Sequence, residues 1–520
     1  MRCISPSTEN SFLLSSSYLR FLHLFLSQMA SESEKLHFVL FPLTAQGHMI
    51  PMIDIARLLA QQGVIITIIT TPINANRFRK ILNRDLESGL PINLVELKFP
   101  AESAGLPADC ENLDMLSSLG LTIDFYSAFN LLQDPVETLL QQMNPSPNCI
   151  ISDMNLPYTS RVATKLLLPR ISFVGFSCLS MLFMDRVYNS GILETINSDS
   201  EYFSIPGLPP HLQFTKRQLV GAVIQNGDAF ASEVAAAEKV TYGLIINSFE
   251  DLESEFIQQY KKLQDKKVWC IGPVSLINDK HNLDRIQRGD STSTEKSDEC
   301  LKWLDEQQSG SVIYVCFGSL CNLVTSQLIE LALGLEASNR SFIWVLRGGE
   351  KSRELEKWIE EEGFEERTKG RSFIIRGWAP QLVILSHVAI GGFLTHCGWN
   401  STLEAMSAGV PMITWPLFGD QFCNEKLIVD VLQIGVKVGA KVTVVWGHED
   451  KIGVVVKKED VTKAILELTE VGEESEERKR RVKDLSVKAK KALEEYGSSY
   501  LNLKLLIEDI RMLAANKGLA

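Results

Sequence analysis

Apolar residues come in short dense runs separated by longer amphipathic stretches, and this alternation begins at residue 37. The run HFVLFPL (37–43) reads as a strand buried on both faces. A short loop, Thr44-Ala45-Gln46-Gly47, leads into a helical pattern over 49–62, with Ile53, Ala56, Leu59 and Ala60 on one side and Gly63 as its stop. VIITIIT (64–70) is a second, β-branched strand. Strand, helix and strand in that order imply parallel pairing through a right-handed crossover. Further strands are expected at 148–152, 170–174 and 242–247, with helical stretches between them.

From 272 to 299 the pattern fails. DKHNLDRIQRGDSTSTEKSDE offers almost nothing to bury and reads as a solvated linker. The alternation then resumes with strands at 312–317, 342–347, 372–376, 390–395 and 411–416 and helices at 327–338, 381–385 and 402–408. A charged amphipathic helix is expected over 473–491, and a further helical pattern runs through 501–513. The expected fold class is α/β, with two doubly wound, Rossmann-like domains (29–271 and 300–475) facing across a cleft. Residues 272–299 join them, and the helices of 476–520 are expected to pack back on the first domain. Ligands of open parallel sheets bind at the carboxyl ends of the strands, so the cleft would hold one ligand per domain.

Composition narrows the function. A chain of 520 residues is too long for one core. With 45% hydrophobic and 22% charged residues it is neither disordered nor a disulfide-stapled miniature. A formal charge of −12 argues against general affinity for nucleic acid. It leaves anionic ligands open, because helix N-termini bind phosphate in acidic proteins too. The ten cysteines show no CxxC and no paired rhythm, as expected of buried free thiols in a reducing compartment. No Asp-x-Asp or His-Glu-x-x-His occurs, so no metal is expected.

Residues 1–28 are expected to be an extra segment outside the fold. The apolar stretch 12–26 is interrupted by serines, Tyr18, Arg20 and His23 and is too short to span a membrane. It reads as a weak secretory signal, as a Ser-rich transit-like leader, or as an extension upstream of a start at Met29-Ala30-Ser31. The third is the simplest reading, and on it the protein is cytoplasmic.

Candidate chemistry concentrates in one block, WAPQLVILSHVAIGGFLTHCGWNSTLEAMSAGVPMITWPLFGDQ (378–421). His396-Cys397-Gly398-Trp399-Asn400-Ser401 lies between a buried strand and a helix, where free N–H groups form an anion site. Gly398 allows close approach of a ligand to the backbone. Glu404, one turn on, can accept hydrogen bonds from a ribose diol. Trp378 offers a face for a base, and Asp420 and Gln421 can bind sugar hydroxyls. Each feature alone is more often a cap, a turn or packing. Base, ribose, phosphate and sugar partners in order along one segment are more specific.

This block resembles the signature motif of plant secondary-product UDP-glycosyltransferases (family 1, GT-B fold) over nearly its whole length. The resemblance extends from about Lys35 to Arg511 and includes Gly318-Ser319. Residues 38–100 and the Trp446-Gly447…Lys451-Ile452-Gly453 region are most similar to the group D members that act on triterpenes, flavonoids, hormones and xenobiotics. It implies Trp378, Ala379 and Gln381 at the uracil and Glu404 at the ribose. It also implies His396, Gly398, Asn400, Ser401 and Ser319 at the diphosphate, and Trp399, Asp420 and Gln421 at the sugar. A final glutamine in the motif goes with UDP-glucose as donor.

Sugar transfer to a hydroxyl needs a base. His48 follows the first strand, and a free histidine titrates near ~6.5. Asp153 ends another strand of the same domain, where a carboxylate could orient the imidazole. By themselves these are a helix-start residue and a strand-end cap. Gly47-His48 and Ser152-Asp153 match the family's catalytic dyad, and the resemblance implies an inverting transfer without metal or cofactor. The acceptor would be a hydroxyl or carboxyl of a lipophilic small molecule, held by 106–129, 173–183 and 203–219. Gly175 departs from flavonoid-specific relatives, which often carry threonine there. The protein is expected to act as a monomer without stable membrane insertion. A non-catalytic UDP-sugar-binding protein is the alternative. A dinucleotide oxidoreductase is disfavoured, because the turn at 44–48 has one glycine rather than GxGxxG.

Overall fold

The computed structural model describes residues 35–219, 228–289, 294–320, 323–346, 350–444 and 449–518. The extra segment 1–28, residues 290–293 of the expected linker and the Trp446-Gly447 pair lie outside the described residues. Contacts divide the chain into Met1–Leu36 and His37–Ala520, and the architecture below belongs to the second unit.

Seven short strands, rich in Val, Ile and Phe, form the first sheet: β1 (His37–Phe41), β2 (Ile65–Thr70), β3 (Ile92–Glu96), β4 (Cys149–Asp153), β5 (Arg170–Val174), β6 (Gly243–Ile246) and β7 (Lys267–Cys270). All pair in parallel, in the order β3-β2-β1-β4-β5-β6-β7. The second sheet holds β8 (Val312–Cys316), β9 (Ser341–Leu346), β10 (Ser372–Arg376), β11 (Ile390–Thr395), β12 (Met412–Thr414) and β13 (Gly435–Lys437). Its order is β10-β9-β8-β11-β12-β13, again all parallel. Both sheets reverse direction once, between β1 and β4 and between β8 and β11. These are the switch points where doubly wound folds bind ligands. Two Rossmann-like domains in a GT-B arrangement therefore bring two such crevices together.

Two helices at those switch points start three residues earlier than the sequence pattern indicates. Helix α1 spans Gln46–Gln61 behind Ala45, and the helix after β11 spans Trp399–Ala408 behind Gly398. Neither has a side-chain cap, so neither shows the Ser, Thr, Asp or Asn that marks a helix start.

The expected solvated linker is corrected by the structure. Val274–Lys280 forms a 3₁₀ turn and Asn282–Ile286 a short helix, with Asn278, Asp284 and Gln287 buried. A further helix spans Thr294–Asp305 and buries Cys300 and Leu304. The charges of this segment are matched rather than hydrated. Asp284 pairs with Arg57 of α1 at 2.5 Å and with Arg84 of α2 (Pro72–Glu87) at 2.7 Å.

At the C-terminus, Glu473–Leu493 packs on the Trp399–Ala408 and Glu250–Leu263 helices. Ser498–Gly518 returns to the edge strand β7, where Asn502 Nδ2 donates to the carbonyl of Cys270 at 3.0 Å. Among the described residues no helix is long and apolar enough to cross a membrane. The eight described cysteines are free, and all but Cys316 are buried.

Candidate active site

His48 stands in the first turn of α1 and Asp153 at the end of β4, so the first switch point places them side by side. His48 Nδ1 lies 2.7 Å from Asp153 Oδ2. The other carboxylate oxygen accepts from Asn155 N and Nδ2, at 2.9 and 3.1 Å. Asp153 is fully buried and His48 retains 22% exposure, so the pair opens to the cleft only through the imidazole. A proton held on Nδ1 by the carboxylate leaves Nε2 unprotonated and able to accept one. Burial alone would lower the histidine's pKa. The Asp153 charge and hydrogen bond, helped by Asp420, outweigh burial and raise it above the usual value.

Phe176 packs edge-on to the imidazole, with ring centroids 6.3 Å apart. A Cβ at Gly175 would stand 3.6 Å from His48 Cε1 and Nδ1, so a larger side chain there would lie against the base. Of the expected acceptor region, Phe125 and Phe129 are buried in the core, while Tyr126 stacks on Phe230 at 4.0 Å. Burial, reinforced by the Asp153 charge, raises the Tyr126 phenol. The stretch from Phe203 to Phe214 mostly supplies packing: Phe214 lies 4.5 Å from Phe183 in the core.

The second switch point gathers the residues expected at the donor. Ser319 follows Gly318 after β8, and His396 follows β11. The imidazole of His396 is wedged between two glycines. A Cβ on Gly318 would approach it to 2.6 Å and one on Gly398 to 2.3 Å. Burial pushes His396 down to about 4, so at neutral pH its ring is neutral. Its Nδ1 is buried without a hydrogen-bond partner. Cys397 adopts a left-handed φ of +66°, costly for a residue with a side chain. The N–H groups that follow open the Trp399–Ala408 helix without intrahelical partners.

Gln381 is held on three sides. Its Nε2 donates to Ser401 Oγ at 3.1 Å and Glu404 Oε2 at 2.7 Å, and its Oε1 accepts from Tyr314 at 3.2 Å. It thus ties Ser401, Glu404 and Tyr314 together around one amide. Ala379 is buried beside it, and Trp378 stays partly exposed. Asp420 is nearly buried and accepts from Asn424 Nδ2 at 2.7 Å. Burial pushes its carboxyl up to about 6. Gln421 spends its oxygen on the loop, accepting from Leu417 N and Phe418 N at 2.8 and 3.1 Å, which leaves its NH₂ to donate.

Two expected donor contacts change character. The indole of Trp399 is 3% exposed and donates to the carbonyl of Asn247 in the other domain at 2.8 Å. The indole N–H is therefore already committed within the protein. Asn400 likewise turns its amide to the carbonyl of Gly47 across the cleft.

Three functional candidates escaped the sequence reading. Asn424 accepts from Ser177 and Ser180 of the first domain at 3.2 and 3.3 Å. It donates to Asp420 and, at 2.9 Å, to the strained Cys397 carbonyl. Arg288 pairs with Asp54 at 2.8 Å and also with Glu404. Asp54 and Glu404 raise the guanidinium's pKa against the opposing effect of burial. Asn424 and Asp54 stand in helices and Arg288 follows one, and their sequence carries no signal of these roles because the cross-domain partners lie more than a hundred residues away. Among the described residues no cluster of His, Cys, Asp and Glu could hold a metal ion.

Residues 34–276 match the family described as Glycosyltransferase, N-terminal domain, and 248–474 match UDP-glucoronosyl and UDP-glucosyl transferase. The chain is 54% identical over 486 residues to UDP-glycosyltransferase 73C3 of Arabidopsis thaliana, covering 93% of this chain and 98% of the relative. It is 51% identical to UDP-glycosyltransferase 73C11 of Barbarea vulgaris, covering 95% and 100%. Among solved structures it is similar to Glycyrrhiza uralensis UGT73P12 complexed with glycyrrhetinic acid 3-O-monoglucuronide, with a TM-score of 0.86 and 37% identity over 93% and 97% of the chains. Phytolacca americana UGT2, complexed with UDP-2fluoro-glucose and pterostilbene, follows the same fold with a TM-score of 0.70 and 27% identity over 92% and 100%.

Proposed function

The chain belongs to the plant family 1 UDP-glycosyltransferases, and on that premise we propose that it is an inverting, UDP-glucose-dependent glucosyltransferase of lipophilic plant small molecules such as triterpenes, flavonoids or hormones. Its support is the His48–Asp153 pair, bonded at 2.7 Å through Nδ1 so that Nε2 is left to accept a proton, with Asp420 close enough to act on the imidazole.

In this reaction the acceptor oxygen attacks the anomeric carbon and its proton passes to His48 Nε2. The bond from that carbon to the diphosphate breaks, and its electron pair leaves with UDP. Asp153 stabilises the imidazolium that forms. The N–H groups opening the Trp399–Ala408 helix, the Ser401 and Ser319 hydroxyls and the neutral His396 receive the charge that builds on the diphosphate. Trp378 and Ala379 hold the uracil, Glu404 with Gln381 the ribose, and Asp420 and Gln421 the glucose. A base on one face and a leaving group on the other require inversion, so α-linked UDP-glucose yields a β-glucoside. A relative seen with UDP-2fluoro-glucose and pterostilbene is in line with donor and acceptor sharing one cleft.

The test is to incubate the enzyme with UDP-glucose and a panel of hydroxylated triterpenes, flavonols and hormones, then read the anomeric proton coupling of each product. β-Glucosides are expected. An α-linked product would exclude the inverting reading, and turnover only with another UDP-sugar would exclude glucose.

A further inference from the structure

The polar segment between the two sheets reaches the nucleoside end of the donor site. Arg288 has only 9% of its side chain exposed. Its Nε and Nη2 donate to Asp54 Oδ2 of α1 at 2.9 and 2.8 Å, and its Nη1 donates to Glu404 Oε1. Its main-chain carbonyl accepts the indole N–H of Trp378 at 3.2 Å. Gly289, at φ +86°, follows so closely that a Cβ would lie 2.4 Å from Trp378 Cζ2. One residue therefore contacts both the indole edge and the carboxylate assigned to the nucleoside.

The division of labour within the guanidinium matters. Asp54 engages Nε and Nη2 and fixes the plane of the group. Glu404 receives the remaining nitrogen on Oε1, while Gln381 occupies Oε2. A carboxylate has about four lone-pair sites, so each oxygen still has one free for a ribose hydroxyl. The terminal torsion of glutamate is broad, so an unheld carboxylate would sample many orientations.

We propose that Arg288 is a donor-positioning residue, anchored on Asp54, that holds the Glu404 carboxylate where it receives the ribose hydroxyls and fixes the indole of Trp378 through its carbonyl. This rests on the assignment of Glu404 to the ribose.

The experiment is calorimetric titration of the full chain with UDP and with 2′,3′-dideoxy-UDP, comparing wild type with Arg288→Ala, Arg288→Lys, Asp54→Asn and Glu404→Gln. Wild type is expected to prefer UDP strongly. Arg288→Ala should weaken UDP about tenfold or more, the scale of losing a charge-assisted hydrogen bond, and leave the dideoxy nucleotide nearly unaffected. Arg288→Lys should recover part of the loss, because an ammonium cannot serve Asp54 and Glu404 as a planar fork does. Asp54→Asn, which removes the anchor without creating a cavity, should lose in the same selective way. At saturating donor, kcat of the Arg288 variants should change little. Equal losses for both nucleotides would mean a merely structural role, and tighter UDP binding would mean that the segment obstructs the site. Either overturns the proposal. If wild type fails to distinguish the two nucleotides, or Glu404→Gln keeps the full wild-type preference, the ribose assignment itself falls and takes the proposal with it.

Discussion

The side-chain amide of Asn400 donates across the cleft to the main-chain carbonyl of Gly47. That carbonyl is free because of Pro51, which has no N–H for the residue four positions back in α1. A proline inside a helix, ordinarily a defect, thus leaves a docking point for the other domain beside the catalytic histidine. Pro51→Ala should restore the helical bond and make Gly47 a shared acceptor. Thermal stability should hold or rise, while kcat/KM for donor falls about two- to tenfold, the range of one hydrogen bond. Unchanged activity in a stabilised variant would show that this contact does not govern domain closure.

His48 should dominate the acid side of the pH profile. Its pKa is raised, and a base must be neutral to act, so kcat/KM should climb with pH through a value above ~6.5 and level off beyond it. Asp153→Asn removes the main raising charge and lets burial prevail. The acid limb should then move to lower pH while the plateau drops roughly 10²–10⁴-fold. His48→Ala should lose transfer to a similar extent yet bind UDP-glucose almost normally. A limb that stays in place in Asp153→Asn would show that another group titrates.

Asp420 should make sugar recognition sensitive to acid. Burial sets its carboxyl near about 6, so it is mostly ionised at neutral pH and takes up a proton as the pH falls through that value. The ionised form accepts from sugar hydroxyls, and UDP alone has no sugar to recognise. The ratio of UDP-glucose to UDP affinity should therefore shrink between pH 7 and pH 5, measured in His48→Ala to remove the neighbouring titration. The terminal phosphate of UDP titrates in the same range, so the quantity to read is the difference between the profiles with and without Asp420. Asp420→Asn should lose the acid-side fall that Asp420 adds, and identical pH profiles with and without Asp420 would remove this residue from the sugar site.

The sequence showed what lies along one strand-end or one motif. Alternating apolar runs put His48 and Asp153 at the ends of parallel strands, and side chains with the chemistry for base, ribose, phosphate and sugar occur in order between Trp378 and Gln421. The starts of the two key helices were less legible because Ala45 and Gly398 cap them with backbone alone. Arg288 and Asp54 were not legible at all. A charged run looks the same whether water or a distant counter-ion satisfies it, and the partners of Arg288 are 234 and 116 residues away. Asn424 was missed for a related reason: its role depends on Ser177 and Ser180, which come from the other domain.

The charge cluster beneath that segment makes a claim about stability. Arg57 is 4% exposed and binds Asp85 at 2.6 Å, Asp284 at 2.5 Å and Asn278 at 2.6 Å. Asp284 keeps a second cation in Arg84, whereas among the described residues Asp85 pairs with Arg57 alone. Arg57→Ala should therefore cost about 3–5 kcal/mol, because it leaves a buried carboxylate uncompensated. Burial already raises Asp85, with Arg57 working against it, so removing the arginine raises it further. A carboxyl with a raised folded-state pKa binds more protons folded than unfolded, and stability then falls as pH rises through that range. The deficit of Arg57→Ala in urea unfolding should be smallest in acid and grow toward neutrality. Adding Asp85→Leu should recover much of it, since the buried charge is then gone. A deficit independent of pH and unrelieved by Asp85→Leu would mean that Arg57 stabilises through packing of its stem rather than through its charge.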